Sequence, residues 1–180
     1  MPHLRLALAA GGLLLAVPAL ASCGFDYPTE RVNTVGAGVT VHEGDVDVTG
    51  ALVVAAQPDS GTFIGGLSNN TEAEISLVSV SGDEDGISVD EFEPVDVPGG
   101  EHVNLATLAE DDEGIAVSGS FDAGDFVRVT LEFDDDESVT IDVPVMKACY
   151  QFEGLDSTGE GSEEPLYSCE AAEPEMPEEH

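Results

Sequence analysis

From Val35 to Val145 the chain consists of short runs of β-branched and other apolar residues, broken every few positions by Gly, Pro, Asn or Asp. That pattern specifies strands. It is clearest near its end. Val127, Val129, Leu131 and Phe133 alternate with Phe126, Arg128, Thr130 and Glu132; after an acidic stretch, Val139, Ile141, Val143 and Val145 alternate with Thr140, Asp142 and Pro144. A period of two puts each apolar set on one face, so both sets must line one core. The expected hairpin sets Phe133 opposite Val139 and Leu131 opposite Ile141, with Asp134 to Ser138 as the loop; a one-residue slip would turn one set into water. Pro144 donates no ladder hydrogen bond, so its strand end is expected at an edge or a bulge.

Candidate strands cover 36–42, 45–56, 61–68, 73–80, 86–89, 102–108, 115–120, 126–133 and 139–145. No stretch sustains helical periodicity. Many short strands at this spacing predict an all-β, antiparallel sandwich over 35–149.

The first 22 residues differ from the rest. They contain no acid, in a chain with 38 Asp and Glu, and run from Arg5 through the apolar Leu6 to Ala16 to small residues at Leu20-Ala21-Ser22-Cys23. Positive, apolar, small is the order of a secretory signal peptide, and the apolar run is too short for a stable membrane span. Leu-Ala-Ser-Cys resembles the bacterial lipobox, in which the cysteine thiol is alkylated with lipid before cleavage. This predicts a leader over 1–22, a lipid anchor on Cys23, and a tether over 23–34. The expected location is the outer face of the cell membrane, since two or more acyl chains anchor stably.

Once the leader is removed, Arg31, Arg128 and Lys147 are the only strong bases facing those acids, and the formal charge of the whole chain is already −34. Nucleic acid and anionic lipid headgroups are excluded as direct partners, because both would be repelled. The runs Asp83-Glu84-Asp85, Glu110 to Glu113 and Asp134 to Glu137 fall between apolar segments and lack the spaced pattern of a calcium loop; they read as solvated turns.

Of the three cysteines, Cys23 is assigned to lipid. Cys149 and Cys169 remain as an even pair in an oxidising compartment, and a disulfide between them is expected, closing an acidic loop over 150–169. Residues 153–165 read as flexible within it. The acidic, proline-bearing segment 170–180 reads as a disordered tail.

No catalytic constellation stands out. Beyond the leader the histidines are His42, His102 and His180, no Gly-x-Ser-x-Gly elbow occurs, and the chain has no Trp and three Tyr to stack against a sugar. His42 precedes Glu43-Gly44 and reads as a turn residue.

One long segment carries a resemblance. Pro98-Gly99-Gly100-Glu101-His102 is followed by Gly124-Asp125 before the strand ending at Phe133, and then by the strand ending Val143-Pro144-Val145. In order and spacing, residues 98–145 resemble the periplasmic copper chaperones of the Cu(A)-assembly type, and the tether and cysteine pair are similar to those of actinobacterial lipoproteins that share this domain. The resemblance implies a cupredoxin-like or immunoglobulin-like β-sandwich. The family holds Cu(I) with two His and two Met, in the order His, Met, then His-x-Met, because soft thioethers suit that ion. His102 matches the second His. Asn104 stands at the Met that follows, Val80 at the first Met and Asn69 at the first His. No His or Met lies between His42 and His102, and Met146 is the sole methionine of the domain. One ligand of four survives, which leaves His102 as the single metal candidate and a turn histidine as its simpler reading.

The sequence therefore points to a non-enzymatic binding or accessory module, tethered to the membrane, without a cofactor and with envelope proteins as candidate partners. Two alternatives stay open: metal capture through His102 and carboxylates, and an envelope enzyme.

Overall fold

The computed structural model describes residues 37–83, 86–111, 113–159 and 161–170. The leader, the tether, Cys23 and the tail from 171 to His180 lie outside the described residues. Among the described residues the strands are β1 (Val39–Val41), β2 (Val46–Gln57), β3 (Ser60–Asn69), β4 (Ile75–Gly82), β5 (Ile87–Val89), β6 (Val95–Val97), β7 (His102–Asn104), β8 (Ile115–Gly119), β9 (Phe126–Phe133) and β10 (Ser138–Lys147), with a short helix, α1, over Ala106–Glu110. They pair in the order β5-β8-β3-β2-β10-β9-β4-β6, with β1 added to β2 and β7 to β3. Among the described residues no helix is long and apolar enough to cross a membrane.

The result is an all-β sandwich of the cupredoxin-like and immunoglobulin-like kind. One layer contains β1, β2, β3, β5, β7 and β8; the other contains β4, β6, β9 and the first part of β10. Among the described residues the pairings are antiparallel except one: Val145 to Lys147 of β10 run parallel to Val53 to Ala55 of β2. β10 therefore belongs to both layers. It pairs with β9 as far as Pro144 and with β2 from Val145 onward. Pro144, which has no N–H, stands where the strand changes partner, so the expected edge or bulge turns out to be a corner between layers.

The inward faces meet in one core, with Val48, Val53, Phe63 and Leu67 from the first layer and Leu77, Val97, Val129, Leu131, Ile141 and Val143 from the second. The faces of β9 and β10 are those expected, but the register is not. Val139 pairs with Leu131 and Ile141 with Val129, two residues away from the expected alignment, and the loop is Asp134 to Glu137. The turn is tighter because Asp136 adopts a left-handed φ of 69°, which Asp tolerates better than bulkier residues. Asp135 Oδ1 also accepts the Glu137 N–H at 3.0 Å. A shift of two leaves every side chain on its own face, so alternation alone could not detect it.

β2 changes faces along its length. Val46 and Val48 point inward, then Ala51, Val53 and Ala55 do. The change of parity is a bulge between Thr49 and Leu52, centred on Gly50 with φ 59°, where the extra residue moves the inward set from even to odd positions.

Two further expectations are corrected. Residues 102–108 form no single strand: β7 ends at Asn104, whose Oδ1 accepts the Ala106 N–H at 3.1 Å and turns the chain into α1. Val95–Val97, between Pro94 and Pro98, is a strand that short length and flanking prolines concealed. The larger correction concerns the segment after β10. Phe152 and Leu155 are buried, and with Leu52, Val54, Ile64 and Ala109 they form a second apolar cluster on the outer side of β2 and β3. Residues 153–165 were expected to be flexible; the described part instead forms a strap across the first layer, packed because β2 turns Leu52 and Val54 outward.

Candidate functional site

His102 is placed by the Pro98-Gly99-Gly100 turn. Glu101 N–H donates to Pro98 O at 3.0 Å and Gly100 N–H to Asn69 O at 3.1 Å, with Gly100 at φ 72°. A positive φ at the third turn position needs glycine. β7 then pairs His102 with Ser68, and the Nδ1 of His102 lies 2.9 Å from Ser68 Oγ. The ring lies over Gly66, where any side chain would collide with it. His102 is exposed, and among the described residues no carboxylate is hydrogen-bonded to its Nε2. A hydroxyl–imidazole contact without an orienting acid falls short of a nucleophilic triad.

The positions where copper ligands would be sought are built into the fold. Asn69 is 2% exposed. Its amide donates to Ala73 O at 2.7 Å and Val97 O at 2.8 Å, while its Oδ1 accepts from Thr71 N–H and Oγ1. It clamps the β3–β4 turn onto β6. Val80 is a core residue. Asn104 starts α1 as described. The structure therefore brings His102 together with Ser68, not with Met146, which packs against the second apolar cluster under the strap.

Other polar groups have local partners. His42 Nδ1 is 3.1 Å from Asp47; that contact, followed by the Asn70 amide, holds the Asp47 carboxyl below its usual range. Asp45, Asp135 and Glu137 form a three-carboxylate grouping that the sequence did not reveal, because Asp45 sits far from the hairpin loop in sequence. Two of its members already serve backbone donors: Glu137 Oε2 accepts the Asp45 N–H at 2.8 Å, and Asp135 accepts the Glu137 N–H.

The strap is the most elaborate polar arrangement. Cys149 and Cys169 are joined by a disulfide with their Cα atoms 5.5 Å apart. Between them Asp156 accepts the Ala56 N–H at 2.6 Å, the Thr62 hydroxyl at 3.4 Å and the Thr158 N–H at 2.9 Å. Ser162 N–H donates to Ala56 O at 2.8 Å. A second bulge, between Val54 and Gln57 of β2, frees the Ala56 peptide groups for this role. The strap then returns to the main core through buried Tyr167, whose hydroxyl donates to Asp122 at 3.0 Å and accepts the Ala123 N–H at 3.3 Å. Burial, reinforced by the Asp122 carboxylate, pushes the Tyr167 hydroxyl up to about 12. Beside the disulfide, Met146, Phe152 and the exposed Tyr150 line a shallow hollow of about 170 Å³.

No family model matches the chain, and no curated protein matches it. Solved structures similar to it include the copper-bound PCuAC domain from PmoF2, at 17% identity and a TM-score of 0.49 over 61% of this chain and 98% of that one. The apo PCuAC domain from PmoF1 is similar at 19% identity and a TM-score of 0.48, over 61% and 99%. A FixG-related protein from Vibrio parahaemolyticus is similar at 10% identity and a TM-score of 0.38, over 58% and 98%.

Proposed function

We propose that this chain is an extracytoplasmic accessory module, related to copper chaperones and tethered to the outer face of the cell membrane by lipid on Cys23, that works by binding an envelope partner and not by catalysis. The tether rests on the leader and the Leu-Ala-Ser-Cys ending; the relation to chaperones rests on the motifs across 98–145. One observation carries the module reading. Asn69, Val80 and Asn104, the residues standing where a copper quartet would need His and two Met, are each committed to the fold: a buried clamp, a core side chain and a helix start. His102 alone offers one imidazole to an ion that favours soft ligands. The strongly acidic surface supports a partner that is not itself acidic.

Two measurements test the two halves. Fractionation of cells expressing the Cys23→Ser variant should recover the domain free of membranes; continued retention means another anchor. Titration of the purified domain with Cu(I) against a competing chelator should show no stoichiometric capture. Tight one-to-one binding that is lost in His102→Ala overturns the module reading in favour of metal handling.

A further inference from the structure

We propose that the strap is a redox latch: dithiol reduction of the Cys149–Cys169 bond releases the described strap residues 150–159 and 161–168 and uncovers the apolar outer side of β2 and β3. Three observations combine. The strap, acidic and rich in Gly, Ser and Thr, holds two short 3₁₀ turns, Tyr150–Phe152 and Pro165–Tyr167, as its only regular structure among the described residues. Such a composition gains little from folding unless its ends are held. What it covers through Phe152 and Leu155 is an apolar cluster, Leu52, Val54 and Ile64, separate from the main core that Tyr167 joins. The cystine is also asymmetric. Cys149 is 5% exposed, whereas Cys169 lies at the surface.

That asymmetry directs the chemistry. A thiolate of an incoming dithiol attacks Cys169 Sγ, the S–S bond breaks, and Cys149 leaves as a thiolate that takes a proton from water. The second thiol of the reductant then attacks the mixed disulfide. Cys169 is released as a thiol and the reductant leaves as a disulfide, so two electrons pass from the dithiol to the cystine. The bond spans 20 residues of sequence. Loss of that constraint lets the free strap sample open states on the order of 100-fold more often. Asp156, Ser162 and Tyr167 give the reduced strap contacts to return to, which makes the opening reversible.

The experiment treats the oxidised full-length domain with dithiothreitol under native conditions and follows amide hydrogen exchange, with glutathione used separately to trap the first adduct. The expected results are glutathione on Cys169, exchange roughly 100-fold faster at strap amides such as Leu155, Ser157 and Tyr167, β9 and β10 amides unchanged, and protection regained on reoxidation. The proposal is overturned if the bond resists reduction until the whole domain unfolds. It is equally overturned if reduction leaves strap protection unchanged, or if β9 and β10 lose protection with it. The Cys149→Ser/Cys169→Ser variant should match the reduced state, and the reduction of the native chain decides the matter if that variant does not fold.

Discussion

The two layers of the sandwich meet the same core but differ on their other side. In the β4–β9–β10 layer the outer face is wet: Phe126, Arg128, Glu132, Thr140 and Asp142 are exposed, directly behind buried Val127, Val129, Leu131, Val139 and Ile141. In the β2–β3 layer both faces are covered, and Ala51 to Ala55 and Gly61 to Leu67 are buried without a break. The cover on the far side comes from Ala106 and Ala109 of α1 and from the strap, the latter supplied by chain about 100 residues further on. A layer with one wet face is self-sufficient. A layer with two dry faces depends on a distant segment arriving and staying.

That dependence can be broken from either side. Leu131→Ala, at a position of 0% exposure between the layers, should cost about 3 kcal/mol of stability as a core cavity. Leu52→Ala, equally buried but beneath the strap, should cost less, about 2 kcal/mol, because the strap can settle into the space. Denaturant unfolding measures both. Hydrogen exchange should show the second change concentrated in the strap; a uniform loss of protection would mean that the two faces form one cooperative unit.

The same contrast explains what could be read in advance. Alternation in β9 and β10 assigned every residue there to its face, because one face is wet and the period of two is therefore visible. It could not assign register, since a slip of two residues preserves the faces; the pairing was settled by an aspartate in a left-handed turn at Asp136. Along β2 the unbroken run Ala51 to Ala56 was the available sign of a second cover. The covering residues, Phe152 and Leu155, are isolated apolar positions in an acidic stretch and show no period. At the candidate site, the glycine turn and His102 were legible as local chemistry. The clamp at Asn69 was not, because its partners Ala73 and Val97 are brought to it by tertiary structure. The Asp156 anchor was hidden for the same reason: its value depends on a bulge that frees the peptide of Ala56.

Asp156→Ala isolates the polar half of the strap's attachment. The change leaves the half-buried Ala56 N–H without its acceptor, while the Thr62 hydroxyl keeps Ser157 Oγ at 3.0 Å, and a buried donor left unpaired costs about 1–3 kcal/mol. Stability should fall by about 2 kcal/mol, with strap amides exchanging faster while the disulfide stays intact. A loss below a few tenths of a kcal/mol would mean that the apolar contacts alone hold the segment.

Tyr167 tests the strap's return to the core through pH. Its folded-state value is raised above 10.0, to about 12, by burial and by Asp122. A raised value favours the protonated form in the folded state, so this contribution is complete below pH 10 and is lost as pH rises from there toward 12. Tyr167→Phe should flatten that alkaline decline in thermal melts. It should also lower stability at neutral pH by about 1 kcal/mol, through loss of the hydrogen bonds to Asp122 and Ala123. An unchanged alkaline slope would place the phenol in water.

The smallest effect belongs to the wet face. Arg128 Nε and Nη2 reach the two oxygens of Asp142 at 2.8 and 2.9 Å across the β9–β10 ladder, both side chains in solvent. The guanidinium holds the Asp142 carboxyl below its usual 3.8 through its hydrogen bonds. A depressed value favours the ionised form in the folded state. Its contribution is therefore present above about pH 4 and disappears as pH falls through the depressed value. Arg128→Gln should move the Asp142 titration upward when followed by carbon NMR, with a change in midpoint of unfolding near the limit of measurement. Added salt should shrink even that, because the Debye length falls to about 3 Å at 1 M and exposed pairs are screened. If Arg128→Gln instead destabilised the domain as much as Asp156→Ala, the outer face of β9 and β10 would have to be covered in solution, and the contrast between the two layers would fail at the layer taken to be self-sufficient.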